Sequence, residues 1–179
     1  KHFQFVNDLF GGSIPKEFLP AIQKGFETSM TTGVLAGYPV NNMKVRVFDG
    51  SYHDVDSDAM SFELCARAGF REAGRKAKPT LLEPIMKVEV LTPDQYMGDV
   101  TGDLTRRRGM LEGTDSRANL QVIKAKVPLS EMFGYVTQLR SLSSGRATST
   151  MEFSHYSPAP NNVAEEVIAK SKGKVKVEE

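Results

Sequence analysis

Two kinds of hydrophobic spacing alternate in residues 1–80 and predict the order strand, helix, strand, helix. A short aromatic-rich strand is predicted over residues 3–9, and Met43, Val45 and Val47 alternate with basic residues as in a half-buried strand. Apolar residues at helical spacing predict the two helices. Their positions are Phe18, Ile22, Phe26 and Met30 in the first helix, and Phe62, Ala66, Gly69, Phe70, Ala73 and Ala77 in the second.

Residues 86–153 show a different order, which is strand, helix, strand, strand, helix, strand. Thr92 and Ser130 are predicted to cap the two helices. The predicted strands are 86–90, 110–114, 121–127 and 147–153, and the predicted inward helix positions are Met97, Val100, Leu104, Met132, Val136 and Leu139. This order is the split motif of ferredoxin-like folds, a sheet with two helices on one face.

Two prolines, Pro79 and Pro84, bracket a short stiff connector over residues 80–83 and predict a boundary between two units. The predicted layout of this α+β chain is residues 1–80, residues 81–157 and a C-terminal segment over residues 158–179. In the last segment Asn162 is predicted to cap a short helix, and the lysine-rich tail from Ser171 is predicted to be mobile.

Composition narrows the class of protein. The chain has 179 residues, of which 40% are hydrophobic and 25% charged, and its net charge is +1. This balance gives no general support for nucleic-acid binding, which would need local basic patches. There is no apolar run long enough for a bilayer and no signal-peptide pattern, so we expect a cytoplasmic protein without a membrane partner. A start at Lys1 without a Met suggests a piece of a longer protein.

Motifs for metal or nucleotide binding are weak. The chain contains no Gly-x-x-x-x-Gly-Lys-Ser/Thr phosphate loop. A calcium loop beginning at Asp54 fails because its sixth position is Ala59 and its twelfth is Cys65. Cys65 is the only cysteine, which excludes an internal disulfide, and its apolar helical surroundings predict a buried, unreactive thiol. We expect no metal site, no cofactor and no catalytic centre in these residues.

The segment 50–57, Gly-Ser-Tyr-His-Asp-Val-Asp-Ser, is predicted to form an exposed turn between a strand and a helix. Capping of the helix by Asp56 or Ser57 is the ordinary interpretation of this pattern. It leaves Tyr52 and His53 without a role. A hydrolase triad of Ser51, His53 and Asp54 would be crowded into four residues with no pocket, so it is discounted.

This segment resembles the distal loop of domain IV in the elongation factor G family, the ribosomal translocases. The resemblance extends in register from about residue 12 to residue 156. The further matching blocks are residues 81–90, 98–104, 106–109, 128–135, 139–142 and 150–153. It implies that residues 1–80 are a truncated unit like domain 2 of ribosomal protein S5 and that residues 81–157 are the ferredoxin-like domain V. The match to domain IV is incomplete, because the family has further strands and a second tip loop before Lys1.

The resemblance also implies a mechanical role for the loop in translocation. In the family this loop enters the decoding region of the small ribosomal subunit and contacts the tRNA–mRNA helix. The matching residues are Asp49, Gly50, Ser51, Tyr52, His53, Asp54 and Asp56. His53 can donate to phosphate or 2′-hydroxyl oxygens. Tyr52 either stacks on a base or packs inward, and the two carboxylates stiffen the loop.

Clustered arginines form the second candidate surface. Arg106, Arg107 and Arg108 end the first helix of the second unit, where cations are also favourable for the helix dipole. At least two of them should project outward. Since domain V of the family faces large-subunit ribosomal RNA, Arg107 and Arg108 are the favoured phosphate contacts, with Arg140 and Arg146 as weaker candidates.

The implied parent is a monomeric GTPase whose GTP and Mg²⁺ are held by a missing N-terminal domain. Two alternatives remain. The same module occurs in ribosomal protection and recycling paralogues, although an intact tip sequence favours the translocase. A small metabolic enzyme on a ferredoxin-like scaffold would need a pocket with converging titratable groups, for instance around His53 or His155.

Overall fold

The computed structural model describes residues 2–175. It divides into two compact units. Of the described residues, the first unit contains those up to Thr80 together with those from Pro160 onward, and the second unit is Leu81–Ala159. No helix among the described residues is long and apolar enough to cross a membrane.

The first unit begins with the predicted order of strands and helices. Strand β1 (Phe3–Asn7) pairs in parallel with β2 (Met43–Val47), and α1 (Leu19–Met30) and α2 (Ala59–Lys76) each follow one of these strands. A Cβ on Gly25 of α1 would lie 2.6 Å from the Glu63 carbonyl oxygen and 2.7 Å from the Ala66 Cβ. The two helices can therefore approach this closely only because position 25 is glycine.

The second unit has the ferredoxin-like fold predicted from the sequence. Its elements are β3 (Leu82–Pro93), α3 (Met97–Arg106), β4 (Met110–Arg117), β5 (Leu120–Pro128), α4 (Tyr135–Leu142) and β6 (Thr148–Pro158). The four strands form one antiparallel sheet in the order β4-β5-β3-β6. Val100 and Leu104 of α3 are completely buried against it, as predicted. After this unit, α5 (Asn161–Val175) returns to the first unit.

Both predicted caps in the second unit are wrong. Thr92 is fully buried and remains in β3 opposite Gln121, with its hydroxyl donating to the Pro93 carbonyl. A 3-10 turn at Asp94–Tyr96 then precedes α3. Ser130 lies in a second 3-10 turn, and α4 begins only after Gly134, whose φ of 72° suits glycine. In each case the sheet extends to a proline, and a tight turn separates that proline from the helix.

Some residues predicted to face the core are exposed instead. Because α4 begins at Tyr135, its buried face carries Tyr135 and Leu139, while Val136 is 56% exposed. Cys65 is exposed, since α2 turns Ala66 and Phe70 inward instead. The connector is shorter than predicted, because β3 already begins at Leu82.

The C-terminal segment differs as well. Helix α5 begins at Asn161, so Asn162 lies inside its first turn rather than at the cap. The helix continues past Ser171 to Val175, where a mobile tail was predicted. Residues 176–179 of that predicted tail lie outside the described residues.

Candidate functional site

The 49–57 loop follows β2 at the C-terminal end of the small parallel sheet. Because β1 and β2 are parallel, the segment that follows β1 leaves the sheet at the same end. Ile14 of that segment meets the loop: a Cβ on Gly50 would lie 2.4 Å from the Ile14 Cδ1 atom. Ile14 is a buried core residue, so Gly50 brings the loop backbone directly onto the core.

Tyr52 packs inward. Its ring centroid lies 5.6 Å from that of Phe18, which in turn stacks on Phe62 at 4.8 Å. Burial raises the pKa of Tyr52, and the neighbouring Asp54 carboxylate raises it further. Of the two roles left open by the sequence, the structure shows the one in which Tyr52 braces the loop.

Hydrogen bonds within the loop close it into a tight turn. The amide of His53 donates to the Ser57 hydroxyl at 3.0 Å. In return, the amides of Asp56 and Ser57 donate to the His53 carbonyl oxygen at 3.2 and 3.0 Å. These bonds hold the backbone from 53 to 57 without any contribution from outside the loop.

The predicted helix cap was misplaced by one or two residues. Asp58, not Asp56 or Ser57, caps α2 by accepting from the Ser61 amide at 2.6 Å. This bond lowers the pKa of the Asp58 carboxyl. The Ser57 hydroxyl instead closes the turn by accepting from the His53 amide.

Several side chains of the loop remain exposed. They are Ser51, His53, Asp54, Val55 and Asp56. Val55 is 93% exposed, although it is apolar. The hydrophobic pattern did not single out Val55, and the only available signal was its place at the centre of a loop with polar neighbours. The turn therefore exposes one hydroxyl, one imidazole, two carboxylates and one apolar side chain.

Arg107 and Arg108 do not project freely, contrary to the expectation for at least two of the triplet. Arg107 pairs with Asp103 at 2.8 Å and lies over the Tyr135 ring at 5.1 Å. Arg108 makes a bidentate contact with Glu83 at 2.8 and 2.9 Å and also donates to Glu131 at 3.1 Å. These carboxylates raise the pKa of Arg108, Glu83 most of all.

We call these residues the arginine–carboxylate cluster; its members are Asp103, Arg107, Arg108, Glu83 and Glu131. It joins the end of α3 to β3 and to the turn before α4. The other candidates, Arg106, Arg140 and Arg146, are exposed. Within the described residues, no group of three or more His, Cys, Asp or Glu side chains is arranged to hold a metal ion.

Two family models match adjoining parts of the chain. The model described as elongation factor G, domain IV, matches residues 1–78. The model described as elongation factor G C-terminus matches residues 80–167.

Individual proteins agree with these models. An elongation factor G from Cytophaga hutchinsonii is 62% identical over 170 residues, which are 95% of this chain and 24% of that protein. One from Amoebophilus asiaticus is 57% identical with the same coverage. The chain thus spans about a quarter of the length of these relatives. A crystal structure of a Thermus thermophilus protein superposes with a TM-score of 0.84 at 38% identity, covering 97% of this chain and 26% of that one.

Proposed function

Since the chain belongs to the elongation factor G family and corresponds to its C-terminal part, we propose that it is the ribosome-binding module of a translational GTPase that promotes movement of tRNA and mRNA. Residues 1–80 would belong to domain IV and residues 81–157 to domain V. The proposed partners are the ribosome and the tRNA–mRNA helix. GTP and Mg²⁺ would be held outside this chain, whose sequence does not fit a phosphate cradle.

The observation that carries the proposal is the construction of the 49–57 loop. Its backbone is held by the His53–Ser57 bonds, by the Tyr52–Phe18 contact and by the approach of Gly50 to Ile14. Its outward side chains contribute nothing to these restraints apart from the Asp54 carboxylate near Tyr52. A stiff projection with free side chains suits a part that blocks or pushes an RNA helix, and it needs no covalent chemistry.

We assign different roles to the loop residues. Gly50 and Tyr52 hold its shape, while His53 donates to phosphate or 2′-hydroxyl oxygens. The carboxylates of Asp54 and Asp56 repel phosphates, so they favour contacts away from the RNA backbone. Asp49 supports the start of the loop, since the Gly50 amide donates to its carboxylate at 2.8 Å. Ser51 is exposed beside His53 and is available for a polar contact.

In the second unit we place large-subunit RNA contacts on the exposed arginines, Arg106, Arg140 and Arg146. Arg107 and Arg108 instead hold the fold of this unit, because their guanidinium groups are already bonded to carboxylates. A phosphate would have to displace those partners before it could bind.

The test is His53→Ala in the intact protein, with ribosome binding, GTP turnover and translocation followed in one preparation. Translocation should slow by about tenfold or more, because the variant loses a hydrogen bond to a charged phosphate that contributes about 1.5 kcal/mol. Binding and GTP turnover should stay close to wild type, because the loop acts mechanically.

His155→Ala is the matched control, since His155 is also an exposed histidine but lies in β6 of the second unit. Translocation at the wild-type rate in His53→Ala, or equal loss in both variants, would refute the role of the loop.

A further inference from the structure

The outer face of α2 carries two arginines, Arg71 and Arg75, which we call the basic stripe. They are four residues apart and therefore lie on one face of the helix. Both are exposed. The opposite face buries Ala66 and Phe70. The basic stripe thus faces solvent along the second half of an 18-residue helix.

The carboxylates of α2 and of the packed helix α1 bond to other side chains. Glu63, on the same helix, pairs with Lys24 at 2.9 Å and also with Arg67. Glu72 pairs with Lys76 at 2.6 Å. On the packed helix α1, Glu27 accepts from the Gln23 amide at 2.8 Å. Among the described residues, therefore, no carboxylate forms an ion pair with Arg71 or Arg75.

Helix-dipole stabilisation explains only part of this arrangement. Arg75 lies in the last turn of α2, where a cation interacts favourably with the free carbonyl groups. Arg71 lies five residues before the end of the helix at Lys76, beyond the reach of that effect. Two unpaired guanidinium groups on one stripe consequently point to an external anion.

We propose that the basic stripe binds backbone phosphates of RNA in the complex where the 49–57 loop makes its contact. This inference rests on the proposed function. Helix α2 begins at Ala59, directly after the loop and its Asp58 cap. With a rise of about 1.5 Å per residue, Arg71 lies roughly 18 Å along the helix from Ala59. One rigid element therefore carries both the loop and the stripe.

Phosphate is favoured over an acidic peptide by continuity with the loop, whose proposed partner is an RNA helix. A guanidinium group matches two phosphate oxygens at once, and successive phosphates of an RNA strand can engage arginines spaced along a helix. The contact requires no base recognition, so it would hold the helix against RNA irrespective of sequence.

The test compares Arg71→Gln/Arg75→Gln with wild type in the intact protein. Affinity for purified ribosomes is measured across a series of salt concentrations. Loss of two phosphate contacts should reduce the slope of log K against log salt by about 1.4 to 1.8, the value for two contacts to single or double strands. Affinity should fall most at low salt.

The control is Lys24→Gln/Lys170→Gln, which removes the same charge from two exposed helical lysines paired with Glu63 and Glu166. It should leave the slope within experimental error of wild type. Amide exchange in α2 checks that both variants remain folded.

The outcomes separate the two proposals. Ribosome binding by wild type with an unchanged slope in Arg71→Gln/Arg75→Gln would overturn the phosphate contact alone. Weaker binding without a change in slope would also overturn it, because the loss of two phosphate contacts must change the slope. Failure of wild type to bind ribosomes would instead overturn the proposed function.

Discussion

The two units use their arginines differently. In the second unit, Arg107 and Arg108 are enclosed by Asp103, Glu83 and Glu131. In the first unit, Arg71 and Arg75 remain exposed while Glu63 and Glu72 pair with other cations. Three consecutive arginines lie in the second unit, yet two of them are bonded to carboxylates, whereas Arg71 and Arg75 form no ion pair among the described residues. A run of arginines therefore indicates an anion site only after the carboxylates brought near it by the fold have been counted.

The second unit also has the larger hydrophobic core. The second unit buries a continuous cluster between its sheet and two helices, including Val88, Val90 and Leu104 at 0% exposure. The first unit relies on Ile14, Ile22 and Ala66 surrounded by partly buried side chains. The unit with the smaller core is the one that projects the 49–57 loop.

The largest effect expected from this comparison is that of Arg108→Ala. Its side chain is 31% exposed and that of Glu83 is 12% exposed, so the ion pair is neither fully buried nor freely solvated. Losing the guanidinium group leaves two carboxylates without their shared partner. The free energy of unfolding of the second unit should fall by about 2 kcal/mol, between the values for surface and buried pairs. Amide exchange in β3 and β5 measures this change.

Arg71→Ala supplies the comparison from the first unit. Because Arg71 pairs with no carboxylate among the described residues, its loss should change the stability of that unit by less than about 0.5 kcal/mol. If both substitutions destabilised their units equally, the distinction between bonded and free arginines would be lost. Arg108→Gly removes the same side chain as Arg108→Ala but places glycine at a φ of 59°, which glycine adopts more easily. Comparing the two variants therefore separates the loss of the side-chain contacts from the effect on the backbone.

Much of the second unit could be predicted because its hydrophobic pattern and its fold agree. Apolar residues alternate in β3 and β5, and Val100 and Leu104 recur at helical spacing. Both patterns indicate side chains that pack together on one face of the sheet. The start of each helix could not be predicted. Thr92 has good capping chemistry, but the sheet extends through it, and hydrogen bonding in the ladder decides its position.

A smaller loss of stability is expected in the first unit for Gly50→Ala. The added methyl group would meet the Ile14 side chain at 2.4 and 2.8 Å, so either Ile14 or the loop must move. We expect the first unit to lose about 1 to 2 kcal/mol, as in other overpacked cores. Translocation by the intact protein should slow as well, because the loop would be displaced. Amide exchange in α2 and translocation kinetics measure the two effects.

Ile14→Val provides the rescue, because it removes the Cδ1 atom that lies nearest to the added methyl group. The double variant should recover part of the lost stability and part of the translocation rate. An additive double variant would show that Gly50 is required for a reason other than its approach to Ile14.

The position of the loop was accessible from the sequence, whereas its internal construction was not. Gly50 and the polar run after it indicate a turn. The contacts of Tyr52 with Phe18 and of Gly50 with Ile14 join residues more than thirty positions apart along the chain. Only tertiary structure brings such residues together. The same reason explains Arg108, whose partner Glu83 lies 25 positions away.

The smallest expected effect is a dependence on pH at the start of α2, next to the loop. The bond from the Ser61 amide keeps the pKa of Asp58 below its ordinary value of 3.8 in the folded state. Because the pKa of Asp58 is lower in the folded state, the charged cap stabilises that state fully above about pH 3.8. This contribution is lost as the pH falls through the pKa of Asp58 in the folded state. Amide exchange at Ser61 should therefore accelerate in that acidic range.

Asp58→Asn tests the assignment, because asparagine also caps helices but does not titrate. In this variant the additional acid sensitivity of Ser61 exchange should disappear, while protection near neutral pH should be largely retained. Equal acid sensitivity in both proteins would show that another group controls the start of α2. The arginine–carboxylate cluster is a suitable internal reference. If amides around it responded over the same pH range as Ser61, the acid effect would be general unfolding of both units and not the loss of one cap.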